Sequence, residues 1–230
     1  VVLTGDYLNL DLGEFSTDLY GPTSTTGGVA VIYLQHVGSL NAERSPEWLQ
    51  RAVEIAASIE EVAYDGDHYK FSPDVDKLYL YPNATMLMVL TGLYEQTGDL
   101  AYLDRAEEVY QGIQPLWNEE MELYHSPYSV ESQGAQTDEY STLSSQNYLM
   151  LGLMELYHHS GDITYLNDVI RLLKSVKTRL YSPEDGLIVH HWIDGRPATH
   201  DDPDFFCSGC NLQTLYILWY LQNVLGVELT

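Results

Sequence analysis

The chain has 230 residues, 45% of them hydrophobic, and its 34 acidic against 10 basic side chains leave a formal charge of −24. That balance excludes electrostatic docking on nucleic acid or an anionic membrane, which needs basic patches, and no run of about 18 apolar residues is present to span a bilayer. The acid excess suits a solvated surface in a salt-rich environment, or it partly lines cation sites; net charge speaks to solubility and not to fold.

The sequence opens on Val1-Val2-Leu3 without an initiator Met, as a processed or excised chain would, and a secreted or extracytoplasmic location is expected. Residues 1–24 read as an extended arm in which Leu8, Leu10 and Leu12 alternate with Asn9 and Asp11. Gly21-Pro22 breaks the arm, and residues 25–230 read as one domain. Thr23–Thr26 offer N-caps for a helix over about 25–37. Ser45-Pro46-Glu47, with Pro near the first helical position and an acid in the first turn, starts a helix over 46–63. Tyr64–Leu80 is a long link with a turn at Asp65-Gly66-Asp67. Helices over 82–97 and 100–114 follow, then a second long link, Leu116–Gln136. Helices over 138–159 and 163–180 come next, and the third long link, Tyr181–Asp204, turns at Glu184-Asp185-Gly186 beside an extended Leu187-Ile188-Val189. A helix over 205–225 ends the series.

Two stretches match in register. Leu93-Tyr94-Glu95-Gln96-Thr97-Gly98-Asp99, followed by Tyr102-Leu103, returns as Leu156-Tyr157-His158-His159-Ser160-Gly161-Asp162, followed by Tyr165-Leu166. Trp48-Leu49-Gln50-Arg51-Ala52 is a third, blurred copy of Tyr102-Leu103-Asp104-Arg105-Ala106. Repeats at such a period mark an array whose units cannot bury their apolar faces alone. Links at 38–41, 98–99 and 161–162 are short, and the other three are long. The alternation predicts an all-α array of antiparallel helical hairpins, with small β-hairpins in the long links. Helices 25–37, 82–97, 138–159 and 205–225 would be inner and 46–63, 100–114 and 163–180 outer. All long links then meet at one end, which carries the site.

This alternation of Gly-Asp turns with aromatic long links resembles the (α/α) toroid, or six-hairpin, superfamily. That group contains N-acylglucosamine 2-epimerase-like proteins, several glycoside hydrolases and some polysaccharide lyases. The resemblance covers about residues 25–226 and implies a partial toroid, since a family barrel has about twelve helices. It implies a carbohydrate-directed protein, a hydrolase before an epimerase, with no obligatory cofactor. A narrower similarity is to the β-L-arabinofuranosidase family, whose Glu-x-Cys and Phe-Trp-Cys-Cys elements hold zinc around a Cys nucleophile. Glu139-Tyr140-Ser141 and Phe205-Phe206-Cys207-Ser208-Gly209-Cys210 stand in comparable places, with Ser141 in place of a Cys and the two cysteines spaced.

Several residue sets could carry chemistry. Asp138 and Glu139 sit in the first turn of one inner helix, and Asp201, Asp202 and Asp204 precede the last. Glycoside hydrolysis needs two carboxylates about 5–10 Å apart, although acids also belong at helix N-termini as caps. His190 and His191 could assist in proton transfer. Tyr79, Tyr81, Tyr124, Tyr128, Tyr140 and Trp192 could stack on sugar rings or simply pack the links, with His68 and His125 at the same mouth. Cys207 and Cys210, the only cysteines, could form a disulfide, hold zinc with His200 or another of the nearby histidines, or supply a nucleophile. Calcium at acidic groups is the other metal to consider. Asn83-Ala84-Thr85 is a glycosylation sequon opening a helix.

The competing reading is a non-catalytic carbohydrate-binding or assembly protein. Phe205, Leu212, Tyr216, Trp219 and Tyr220 make the terminal helix apolar over most of its circumference, which demands cover on more than one side. The arm, a second copy, or a partner chain completing the toroid would supply it.

Overall fold

The course of the chain is set by two matching turns in a computed structural model that describes residues 8–9, 14–15, 32, 45–71, 78–125, 140–202 and 205–228. Gly98 and Gly161, both at φ 70°, end one helix each by donating to the carbonyls of Tyr94 and Tyr157. Asp99 and Asp162 then cap the next helix by accepting from the N–H of Ala101 and Thr164. The Thr97 and Ser160 hydroxyls match as well, each donating to the carbonyl four residues back and accepting from the aspartate N–H. A left-handed residue without a Cβ penalty followed by a short capping carboxylate makes this turn from local sequence alone.

In the arm, β1 (Leu8–Asn9) pairs antiparallel with β2 (Glu14–Phe15). The described helices are α1 (Ser45–Ala63), α2 (Leu80–Thr97), α3 (Leu100–Gly112), α4 (Leu143–Ser160), α5 (Ile163–Arg179) and α6 (Ser208–Asn223). Ile32 is helical too, and the rest of the expected 25–37 helix and the 38–41 link lie outside the described residues. Inner helices α2, α4 and α6 lie side by side, with α3 and α5 packed behind α2 and α4. The array is therefore the expected all-α set of antiparallel hairpins. Outer α5 is amphipathic and buries Tyr165, Leu166, Val169, Leu172, Leu173 and Val176, as does α1 with Ala52, Ile55, Ala56, Ile59 and Ala63. Inner α2 is buried around most of its circumference because neighbours enclose it. Its approach to α4 is close at Gly152, where a Cβ would stand 2.7 Å from the Leu87 Cβ.

Every described long link opens with a hairpin of the same build. Tyr64 bridges Tyr69 in the first. In the second, β3 (Trp117–Asn118) pairs with β4 (Leu123–Tyr124). Strand β5 (Ser141–Thr142) closes that link. In the third, β6 (Tyr181–Ser182) pairs with β7 (Leu187–Ile188). The link then continues into β8 (His191–Ile193), which pairs with both β5 and β9 (Arg196–Pro197). The N–H groups of Lys70, His125 and Val189 close the three hairpins on the carbonyls of Ala63, Leu116 and Leu180.

An amide clamp then ties each hairpin to the inner helix that follows. Asn83, Gln146 and Asn211 each stand four residues past their helix N-cap, Tyr79, Thr142 and Cys207. Their side-chain oxygens accept from the N–H of Tyr69, Tyr124 and Ile188 at 2.7, 3.2 and 3.0 Å. Their NH₂ groups donate back to the carbonyls of the same three residues at 2.9, 2.8 and 2.8 Å. A further bond from each NH₂ reaches the Tyr79 carbonyl, the Ser141 Oγ or the Cys207 carbonyl. One buried side chain thus satisfies main-chain groups that the short hairpin leaves open. Asn83 is wholly buried in this role, so the sequon there is closed to glycosylation of the folded chain.

Some boundaries differ from expectation. The helix expected from 138 starts at Leu143, because Ser141 and Thr142 are taken into the sheet with β8. The last helix starts at Ser208, not at 205, because the Phe205 carbonyl accepts from the His190 N–H as extended chain.

Helix α6 is the open edge of the array. It buries only Cys210, Thr214, Ile217 and Leu221. Positions 5, 8 and 12 past the N-cap are Ala84, Leu87 and Thr91 in α2 and Asn147, Met150 and Met154 in α4, all buried. The same register in α6 gives Leu212, Leu215 and Trp219, which are 66%, 60% and 53% exposed. Among the described residues, the side on which each inner helix receives the next is therefore uncovered at the last one. Trp219 is 53% exposed, and most of the arm expected to cover it lies outside the described residues.

Candidate active site at the long-link end

The long links all run from an outer-helix C-terminus to an inner-helix N-terminus, so they meet at one end of the array. The second link returns through Tyr140 and the third through His190 and His191. Pairing of β5 with β8 brings these returns together. The Tyr140 hydroxyl and His191 Nδ1 are 2.7 Å apart. His191 is buried, and the His190 ring packs on it at a 4.1 Å centroid distance. The main chain holds the pair in place: Leu143 N–H donates to the His190 carbonyl at 2.8 Å, and His190 N–H donates to Phe205 at 2.9 Å. His125 Nδ1 meets the Tyr140 carbonyl at 2.9 Å, bracing the two ends of the second link.

At the same end of the array, Tyr81 at the start of α2 meets Tyr148 of α4 edge to face at 4.9 Å. Both are half-buried, and burial with the Tyr148 hydrogen bond pushes the Tyr81 hydroxyl well above its ordinary range. They belong to partly exposed stripes, Tyr81 and Met88 on α2 and Ser144, Tyr148, Leu151 and Glu155 on α4. Glu155, toward the short-link end, is a carboxyl held above its usual range by burial, with Glu95 adding to the effect. Asn147 spans from α4 to α6, donating to the Cys210 carbonyl at 2.7 Å and accepting from the Thr214 hydroxyl at 3.0 Å. The arrangement offers aromatic edges and a hydrogen-bonded phenol–imidazole pair, a set suited to gripping a polyhydroxylated ring and moving a proton on it.

Other expected site residues lie elsewhere or serve the scaffold. Tyr79 and Tyr124 are buried, Tyr79 against Phe71 and Tyr124 against Trp117, which leaves neither a face to stack on a sugar. Trp192 is buried under the Arg179 guanidinium and lines a cavity of about 120 Å³ with Asn118, Glu120, Met121 and Gly195. His68 pairs with Asp67 at the first hairpin turn, away from an equivalent of His125 or His190. Asp202 is not poised as an acid or base: Arg196 grips it at 2.7 and 3.0 Å and Thr199 donates to it through N–H and hydroxyl, holding its carboxyl well below the usual range. Asp201 is exposed. Asp138, Glu139, Tyr128 and Asp204 lie outside the described residues.

Cys207 and Cys210 form a disulfide, so in this state neither sulfur is a nucleophile or a metal ligand. His200 does not complete a site with them; it meets Asp185 at 3.1 Å and packs at a tilt against Phe205. Among the described residues, the group of His, Cys, Asp and Glu close enough to share a metal is His190, Cys207 and Cys210. Ser141, compared above with a zinc-binding Cys, is buried and accepts from Gln146. Tyr148 and the amide clamps escaped the sequence reading. Tyr148 has a weak signal, a polar-tipped aromatic between the apolar faces of α4, and the amides have none beyond their shared distance from the helix starts.

Searches against protein families and curated proteins find no match to this sequence. Solved structures do match in fold. A D-mannose isomerase superposes with a TM-score of 0.70 at 14% identity, over 90% of this chain and 57% of the isomerase. A family 76 glycoside hydrolase from a bovine Bacteroides thetaiotaomicron strain gives 0.68 at 16% identity, over 91% and 47%. A cellobiose 2-epimerase from Bacillus thermoamylovorans gives 0.64 at 13% identity, over 85% and 60%. The fold is that of the (α/α) toroid proteins, and the chain spans between 47% and 60% of the length of these three.

Proposed function

We propose that this is a carbohydrate-directed protein of glycoside-hydrolase type, acting at the long-link end of a partial toroid. The observation that carries the reading is the Tyr140–His191 hydrogen bond at 2.7 Å, at the same end of the array as the half-exposed Tyr81 and Tyr148. Tyr81 and Tyr148 supply stacking edges. His191, oriented by Tyr140, transfers the proton, with Asp138 or Glu139, one or two residues before Tyr140, and Asp201 as the carboxylates. In such hydrolysis one acid protonates the departing oxygen while a carboxylate meets the developing positive charge. No cofactor enters this scheme.

The test is calorimetric binding and product chromatography of the chain with a panel of mannosyl and glucosyl oligosaccharides. Tyr81→Ala should weaken binding, and His191→Asn should lower turnover by roughly 10²-fold or more in a chain that still melts cooperatively. A folded chain that neither binds nor turns over any member of the panel would refute the reading. Sugar inverted at C2 without bond cleavage would reassign the site to epimerisation.

A second reading, an assembly role, rests on the bare face of α6. A partner chain presenting a helix of the inner type, by the register in which α6 covers α4, would bury Leu212, Leu215 and Trp219. Concentration-dependent sedimentation checks it.

A further inference from the structure

We propose that reduction of the Cys207–Cys210 disulfide converts the start of α6 into a zinc site made by the two cysteines and His190. The claim is independent of the carbohydrate reading. A ligand nitrogen of His190 and both sulfurs lie within 4.8 Å of one another. Tetrahedral zinc, with bonds of about 2.3 Å to sulfur and 2.0–2.1 Å to nitrogen, needs its ligand atoms about 3.5–3.8 Å apart. Breaking the S–S bond lets the two sulfurs move apart and the His190 ring approach them by side-chain rotation.

The main chain around the site is fixed from three sides. His190 is pinned by its N–H on Phe205 and its carbonyl on Leu143. The Cys207 carbonyl accepts from Asn211, and the Cys210 carbonyl accepts from Asn147 and Thr214. Cys207 is the N-cap of α6 and Cys210 lies in its first turn, its N–H aimed at the Cys207 Sγ at 3.1 Å. A helix N-terminus lowers thiol pKa and so favours the thiolate a metal requires. The strongly acidic chain also raises the local cation concentration.

The chemistry balances. A dithiol or phosphine reductant supplies two electrons, the S–S bond breaks, and two thiols form. Zinc then displaces two protons to give two Zn–S bonds and one Zn–N bond, with solvent in the fourth position. Because the cross-link closes a loop of only four residues, losing it costs about 2 kcal/mol, and the fold survives the reduction.

The experiment titrates zinc into the intact chain before and after phosphine reduction, and repeats the reduced titration with cobalt, whose thiolate charge-transfer absorption reports sulfur ligation. Expected is no binding to the oxidised chain and one tightly bound zinc in the reduced one. His190→Ala and Cys207→Ser should each weaken zinc at least tenfold, and His200→Ala should leave it unchanged. Equal zinc binding by oxidised and reduced chain, or a reduced chain that binds none, overturns the proposal. So does a cobalt spectrum lacking thiolate bands, or binding indifferent to His190→Ala.

Discussion

Replacing Asn83 by alanine should be among the most destabilising single changes available outside the apolar core. The side chain is fully buried and makes three bonds to main-chain groups of Tyr69 and Tyr79, at 2.7, 2.9 and 2.7 Å. The substitution leaves those groups without a partner, and each buried orphan costs about 1–3 kcal/mol, less where water enters the space vacated. The sum is about 3–5 kcal/mol, to be set against a total stability of about 5–15 kcal/mol. With a urea slope of about 2.5 kcal/mol per molar, the denaturation midpoint should fall by about 1–2 M. Gln96→Ala, an exposed change at the other end of the same helix, should stay within about 0.5 kcal/mol of the unmodified chain. The three clamps also predict a ranking. Gln146→Ala should match Asn83→Ala, since both are wholly buried, and Asn211→Ala, half-buried, should cost less. A midpoint for Asn83→Ala indistinguishable from that of Gln96→Ala would show that the amides merely occupy the site.

Three further outcomes are expected. Gly112→Ala should prevent stable folding, because its Cβ would fall 1.9 Å from the Asp67 carbonyl oxygen of the first hairpin, whereas Gly152→Ala, against the Leu87 side chain at 2.7 Å, should lower stability by about 1–3 kcal/mol; circular-dichroism melts distinguish the two. Asp202→Asn should melt below the unmodified chain at pH 6, and the difference should begin to narrow only below about pH 4, where the unfolded carboxyl protonates, while much of it still stands at pH 3 because the folded carboxyl is held ionised; the absence of a gap at pH 6, or its complete loss by pH 3, would contradict the Arg196 pairing. Trp219→Glu should leave the melt of the isolated chain nearly unchanged, the residue being 53% exposed, while abolishing any concentration-dependent increase in sedimentation.

The hairpin array was legible in the sequence because its signals are local. Gly98-Asp99 and Gly161-Asp162 dictate their turns through backbone freedom and a side chain reaching two residues along. The spacing of Leu166, Val169, Leu173 and Val176 marks the buried face of α5 without reference to what covers it. The same holds for the turns at Gly66 and Gly186, both at positive φ. The candidate site was legible only as a location, the end where the long links gather. Which aromatics stay partly exposed was decided by packing: Tyr79 and Tyr124 look like Tyr81 and Tyr140 in sequence, but the first pair is buried and the second is not. The fate of Asp202 depended on Arg196 across a turn, and that of His200 on Asp185, fifteen residues away. Asn83, Gln146 and Asn211 are ordinary helical amides until their link hairpins fold back within reach. Contacts between residues fourteen to twenty-three apart are set by the closure of the links, and no periodicity in the chain encodes where a closed loop will come to rest.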